Sequence, residues 1–181
     1  SNAGFIKPNN YLAEEGTSPY VILLNSDTVV RAGWDRLMIG WLKRHPEVWE
    51  VGYGGAKLNA NFEGGLSGVG SEIDYVCGWS VCVARETYDR LGLFDEQNLE
   101  FCYGEDADFS LRIKEAGGKL HAFHIDLISH FENKTVTEVQ KDEDFRKWFS
   151  EVFARNHEYL RKRWSGTGLT CLDGTKQVVT S

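Results

Sequence analysis

An acidic residue follows a buried strand near the start of the chain. Residues 20–24 read YVILL, an apolar run rich in β-formers, and Asn25, Ser26 and Asp27 come directly after it. In layered α/β folds the ligand lies beyond the carboxyl ends of the strands, so Asp27 is placed to face a ligand. The Asn-Ser-Asp-Thr run is also good turn chemistry. At this point both interpretations stay open.

A second acidic group opens a helix. The segment YGEDADFSLRIKEAGG places Glu105, Asp106 and Asp108 in the first helical turn. Acids there interact favourably with the helix dipole, and Asp108 can pair with Arg112 four residues later. Three neighbouring acids nevertheless repel each other, which favours a task that needs carboxylates: binding a cation, abstracting a proton or holding hydroxyl groups. The local sequence does not decide between a structural and a functional role.

One histidine stands at the end of an apolar stretch. His130 lies in LISHFENKT, so we place it at or just beyond the end of a strand. A lone histidine is more often a structural residue, and the other four histidines are given that interpretation. By itself His130 is therefore a weak site candidate.

The elements that position these residues alternate between strands and helices, which predicts an α/β layered fold with a mainly parallel sheet. Trp34, Leu37, Met38 and Trp41 follow helical spacing, and Pro46 bars continuation of that helix. The glycine-rich stretch 59–71 is expected to be a mobile loop. The remaining predictions are strands at 20–24, 51–58, 79–84 and 119–125 and helices at 86–91, 104–116 and about 142–164.

Composition excludes several classes of protein. The 181 residues suffice for about one domain, and 20 basic against 27 acidic side chains give a formal charge of -7, which argues against a nucleic-acid partner. No segment has the length and apolarity of a membrane span. The four cysteines form no CxxC pair, so reduced thiols are expected. We expect a cytoplasmic protein, or one peripheral to the inner face of the membrane.

These motifs, in this order, resemble family 2 glycosyltransferases of the GT-A fold. The stretch that leads through YVILL into Asn25-Ser26-Asp27 is similar to the family's approach to its DxD-type metal motif. The stretch CGWSVCVARETYDRLGLFDEQNLEFCYGEDADFSLRIKEAG is similar to its acceptor-side block. Residues 156–164 resemble the asparagine, basic residues and tryptophan with which many members end. The likeness covers roughly residues 4–165 and implies a three-layer sandwich.

The resemblance implies a divalent metal that bridges the diphosphate of a nucleotide sugar. Asp27 and His130 would be its protein ligands, and oxygen with imidazole ligation suits Mn²⁺, with Mg²⁺ as the alternative. The first position of the motif is Asn25 rather than aspartate, which removes one charge and leaves Asp27 with most of the metal affinity.

The resemblance also implies an inverting transfer of a sugar to a hydroxyl of a glycan, lipid-linked or protein acceptor. Asp106 would be the general base that takes the proton of the acceptor hydroxyl. Trp79 would stack on a sugar face. The residues that would contact acceptor or donor are Glu105, Asp108, Trp79, Gly78, Arg112 and Asn25.

The family's first strands, which cradle the nucleotide base, would precede Gly4. We therefore expect a single, partial glycosyltransferase domain: a catalytic core at 4–138, a C-terminal helix at 139–165 and a tail at 166–181, with residues 1–3 resembling the scar of a cleaved tag. Such a fragment should bind nucleotide sugars weakly and turn over little. A bare sheet edge or apolar face should cause self-association or a rearranged N-terminus.

Two other functions stay open. A non-catalytic carbohydrate-binding module on the same fold would use Trp79 and the glycine-rich loop as its platform. A metal-dependent nucleotidyltransferase would also cluster acids near a strand end, but it needs more basic residues than Arg112 around them.

Overall fold

The structure, a computed structural model, describes residues 3–124, 127–131 and 142–170. Most of the predicted tail and the first two residues of the suspected scar lie outside this part of the chain. The described helices are α1 (Ile6–Glu15), α2 (Trp34–Arg44), α3 (Arg85–Leu91), α4 (Glu105–Glu115) and α5 (Glu143–Trp164). The strands are β1 (Tyr20–Leu24), β2 (Thr28–Val30), β3 (Val48–Gly52), β4 (Gly55–Leu58), β5 (Gly64–Gly68), β6 (Tyr75–Val76), β7 (Ser80–Ala84), β8 (Lys119–Ala122) and β9 (Ile128–His130).

The central sheet has the strand order β1-β7-β3-β8. Strands β1, β3 and β8 run in one direction, as predicted, but β7 runs against them, so two of the three pairings are antiparallel. The prediction of a mainly parallel sheet is thus confirmed for the direction of three of the four strands. It is wrong for the pairing of neighbouring strands, because β7 lies between β1 and β3. The reason is the route of the chain: β3 leads into a small sheet beyond its carboxyl end, and β7 returns from there. The turn before β7 consequently lies beside the end of β1.

Helices cover both faces of this sheet, which confirms the three-layer arrangement. Alternate strand residues point to opposite faces. Val81 and Val83 pack in the cluster that includes Phe109 of α4, whereas Cys82 packs in the cluster that includes Met38 of α2. The apolar spacing that predicts α2 is therefore the face that this helix buries.

Two smaller sheets complete the described part of the chain. Strand β2 pairs with β9, and β4 lies between β5 and β6. The glycine-rich stretch 59–71 is not simply a loop, because its residues Gly64–Gly68 form β5. The single predicted strand at 51–58 is two strands that belong to different sheets. Backbone pairing with a neighbouring strand, which local composition does not reveal, accounts for both differences.

Helix α5 is the longest described helix and begins at Glu143, a few residues later than the predicted start of the C-terminal segment. Asp142 caps it, since its side chain accepts a hydrogen bond from the amide of Phe145 at 3.1 Å. None of the described helices has the length and apolar character needed to cross a membrane.

Candidate active site

The residues after β1 and the end of β9 meet through a short antiparallel ladder. Thr28 is paired with His130, and the amide of Phe131 donates to the carbonyl oxygen of Asp27 at 2.9 Å. This ladder brings the His130 Nε2 atom to 3.2 Å from the Asp27 Oδ1 atom. Two residues separated by about a hundred positions thus present one nitrogen and one oxygen to the same point.

This pair fits a divalent metal as two protein ligands. The side chains of His130 and Asp27 are 15% and 24% exposed, so both are held yet reachable from solvent. An imidazole nitrogen with a carboxylate oxygen is a donor set that Mn²⁺ accepts. Within residues 3–124, 127–131 and 142–170 no group of three His, Cys, Asp or Glu side chains is placed to hold a metal ion.

The turn at Gly78 and Trp79 joins this pair to the acids of α4. The Trp79 ring stacks on the His130 ring, with centroids 4.8 Å apart and planes 12° from parallel. The Trp79 carbonyl accepts from the Asn25 amide at 3.0 Å. On the other side of the turn, the Gly78 amide donates to Asp106 Oδ2 at 3.0 Å. Consecutive contacts therefore connect the predicted metal ligands with the predicted base.

Glu105 and Asp106 start α4, where Glu105 is buried and Asp106 is half-buried. Asp106 accepts a further hydrogen bond from the Ala107 amide at 2.8 Å, whereas the Glu105 Oε2 atom is buried with no hydrogen-bond partner in the described part of the chain. Burial raises the pKa of Asp106, although the Gly78 and Ala107 amides oppose this by stabilising its carboxylate. Burial, with the negative charge of Asp106, raises the pKa of Glu105 well above its ordinary value. A raised pKa makes each carboxylate a stronger base.

Asp108 and Arg112 do not belong to this cleft. Asp108 is fully buried; its Oδ2 atom accepts from Arg112 Nε at 2.8 Å and its Oδ1 atom from Trp164 Nε1 at 3.0 Å. The guanidinium of Arg112 also donates to the carbonyl oxygens of Leu91 and Leu93. The predicted helical ion pair is confirmed. The predicted contacts of both residues with sugar hydroxyls need correction, because protein groups occupy these side chains.

The stacking of Trp79 on a sugar face stays a prediction. One face of its ring is covered by His130, so such stacking is restricted to the opposite face. The observed contact of Trp79 orients the imidazole of His130. Gly78 takes part through its backbone amide, and Asn25 through its amide and its carbonyl oxygen, which accepts from the Thr28 hydroxyl at 2.7 Å.

Two buried polar residues near the acids make contacts that the sequence does not predict. Glu50 is fully buried in β3, and its Oε2 atom accepts from the Ser110 hydroxyl at 2.7 Å. A lone acid inside the apolar strand VWEVG is a signal that was available in the sequence. Asn156 is buried in α5 and binds the loop before α4. Asn156 belongs to the segment 156–164 that resembles the end of many family members, but this resemblance does not predict its contacts.

Solved structures with a related fold support this arrangement of elements. A structure of GalNAc-T7 with UDP, GalNAc and Mn²⁺ matches with a TM-score of 0.54 and 16% identity, over 68% of this chain and 31% of that one. The fold is of the GT-A type. The mannosyltransferase PcManGT from Pyrobaculum calidifontis, in complex with GDP-Man and Mn²⁺, matches with a TM-score of 0.52 and 14% identity, over 87% of this chain and 49% of that one.

The chain thus spans about a third of one of these GT-A proteins and about half of the other. At these identities the likeness establishes the fold and not the reaction. No protein-family model matches the sequence, and neither does any curated protein.

Proposed function

We propose that this chain carries the metal-binding and acceptor-side part of an inverting, metal-dependent glycosyltransferase that resembles family 2. One observation carries the proposal: the Gly78–Trp79 turn contacts His130 with its indole ring and Asp106 with its amide. A donor diphosphate bound at the Asp27–His130 pair would accordingly lie close to a carboxylate that can receive a proton. The neighbouring GT-A structures, which contain nucleotides and Mn²⁺, support the same assignment.

Asp27 and His130 would hold the divalent ion, Mn²⁺ or Mg²⁺. When bound, the ion supplies Lewis-acid stabilisation of the negative charge on the departing diphosphate. The protein's contribution is to fix the two ligands. The β2–β9 ladder sets the Asp27 backbone, and the Trp79 ring fixes the plane of the imidazole. The Nδ1 atom of His130 is buried without a hydrogen-bond partner among the described residues, and the ring is held by its stacking on Trp79 and by the Nε2 contact with Asp27.

Asp106 would act as the general base. Its carboxylate takes the proton of an acceptor hydroxyl while that oxygen forms a bond to the anomeric carbon and the bond from this carbon to the diphosphate oxygen breaks. Attack opposite to the leaving group inverts the anomeric configuration. The Gly78 amide orients the Asp106 carboxylate, and the raised pKa of Asp106 increases its basicity. Glu105 lies next to it, and its Oε2 atom is buried with no hydrogen-bond partner among the described residues.

The other candidate functions find less support. A carbohydrate platform on Trp79 would have only one ring face, because His130 covers the other. A nucleotidyltransferase would use Arg112 on a phosphate, yet this guanidinium is engaged by Asp108 and by two backbone carbonyls.

Nucleoside diphosphate release tests the proposal. The chain is incubated with Mn²⁺, a panel of nucleotide sugars and saccharide acceptors. Asp106→Asn should reduce the rate by roughly 10² to 10⁴ while binding of metal and donor is kept. Asp89→Asn, which changes an exposed acid on α3, is the matched control and should keep the rate. Equal rates for Asp106→Asn and the unchanged chain would refute the assignment of the base.

A further inference from the structure

The loop that leads into α4 has an unusual backbone. Phe101 and Tyr103 have φ angles of 61° and 71°, and Gly104 has a φ of 92°. Left-handed conformations are costly for residues with a Cβ atom and persist only where the surrounding structure enforces them. This loop directly precedes Glu105 and Asp106, so its shape sets where α4 begins.

The side chain of Asn156 in α5 binds the backbone of this loop. Asn156 is 1% exposed, and its Nδ2 group donates to the carbonyl oxygens of Glu100 at 2.9 Å, Cys102 at 3.0 Å and Tyr103 at 2.9 Å. Its Oδ1 atom accepts from the Glu100 amide at 3.1 Å. Two N–H bonds serve three carbonyls, so at least one is shared. Only an amide side chain of this length can both donate and accept in this way.

Aromatic contacts fasten the same loop to the same helix. The Phe101 ring lies 5.1 Å from that of Trp148, and the Tyr103 ring lies 5.6 Å from those of Phe149 and Phe153, all in edge-on geometry. The contacting side chains of α5 are therefore Trp148, Phe149 and Phe153. The aromatic side chains of α5 hold the rings of Phe101 and Tyr103, whereas Asn156 holds the backbone at Cys102 between these two residues.

We propose that Asn156 is a positioning residue for Glu105 and Asp106. It keeps Phe101, Tyr103 and Gly104 in the left-handed conformation from which α4 starts at Glu105 and thereby keeps the Asp106 carboxylate on the Gly78 amide. The functional meaning rests on the proposed transferase, but the structural claim does not.

Loss of this side chain has defined consequences. Three partly buried carbonyl groups and one amide lose their Asn156 partner, which weakens the restraint on the strained residues. The loop relaxes, water reaches the first turn of α4, and the burial that raises the pKa values of Glu105 and Asp106 decreases.

Hydrogen exchange and carboxyl NMR of the unliganded chain test the proposal. Asn156→Ala should accelerate exchange at residues 100–108 about tenfold or more, with α2 and β7 unchanged. The titration of the Glu105–Asp106 pair should move to lower pH. Asn156→Leu, which keeps a similar volume, adds no charge and loses the donors, should behave in the same way. Val152→Ala is the control, since it removes a buried α5 side chain that makes no hydrogen bond to the loop.

Several outcomes would overturn the proposal. In the unchanged chain, fast exchange of the Glu100 amide would show that Asn156 does not hold the loop. The same conclusion follows if Asn156→Leu leaves exchange and titration unchanged, or if Val152→Ala shifts both as strongly. Should Asn156→Ala fail to fold, Asn156→Ser takes its place with the same expectations. Because no readout needs substrate, failure of the transferase proposal alone leaves these results unaffected.

Discussion

Replacing Glu50 by glutamine should change how the stability of the chain depends on pH. Glu50 is fully buried in β3; Ser110 donates to its Oε2 atom, and its Oε1 atom has no hydrogen-bond partner among the described residues. Burial, helped by the negative charge of Asp106, raises the pKa of Glu50 from its ordinary value of 4.5 to about 8. At neutral pH the folded chain therefore keeps a proton that the unfolded chain has released.

The sign and size of the effect follow from this difference. Between pH 4.5 and pH 8 the unfolded state binds fewer protons at Glu50, so the free energy of unfolding falls as pH rises. At about 1.4 kcal/mol per pH unit, the total loss is on the order of 5 kcal/mol. Below pH 4.5 both states are protonated and the contribution is fully present. Glutamine has no proton to lose and can still accept from Ser110, so Glu50→Gln removes this decline.

Urea unfolding at pH 5, 6, 7, 8 and 9, followed by tryptophan fluorescence, measures the effect. Glu50→Gln should match the unchanged chain near pH 5 and exceed its stability increasingly towards pH 8. The control is Glu47→Gln, which neutralises an exposed acid one residue before the same strand and should leave the pH dependence as it is. If the free energy of unfolding changed with pH in the same way for Glu50→Gln and the unchanged chain, Glu50 would not be protonated in the folded chain at neutral pH.

Three further substitutions test particular contacts through thermal or urea unfolding. Asp142→Ala removes the cap on the Phe145 amide and should cost about 1 kcal/mol; an unchanged melting temperature would mean that the cap is not formed. Trp164→Phe removes the indole donor to the buried Asp108 carboxylate and should cost on the order of 2 kcal/mol, whereas a neutral result would contradict that hydrogen bond. Gly52→Ala would push a Cβ atom into the facing strand backbone and should destabilise the chain by roughly 1 to 3 kcal/mol; full stability would show that the two strands pack less closely.

Local patterns in the sequence were sufficient for the elements that carry the acids. The apolar run at 20–24 predicts β1, and helical spacing ended by Pro46 predicts α2, because each element buries a face whose period is visible in the sequence. The glycines at 117 and 118 end α4 close to the predicted point. The family resemblance then ordered these elements into the three layers that the structure has.

Long-range contacts account for what the sequence did not reveal. The Trp164 indole, 56 residues away in the sequence, donates a hydrogen bond to Asp108. Because of this contact Asp108 is not available to a substrate. The hydrogen bonds of Asn156 also cross more than 50 residues, and the pairing of the glycine-rich β5 depends on the facing β4 backbone. Periodicity reports which face of an element is buried, but not which polar group it meets there.

Paramagnetic relaxation by Mn²⁺ tests most directly whether Asp27 and His130 form one site with Asp106. In the ¹⁵N-labelled chain, added Mn²⁺ should broaden the amides of Asp27 and His130 and the indole of Trp79 most strongly, with weaker broadening at Gly78 and Asp106. Asp27→Ala should abolish this pattern. Broadening centred on the acidic first turn of α5, with the resonances of Asp27 and His130 unaffected, would contradict the site.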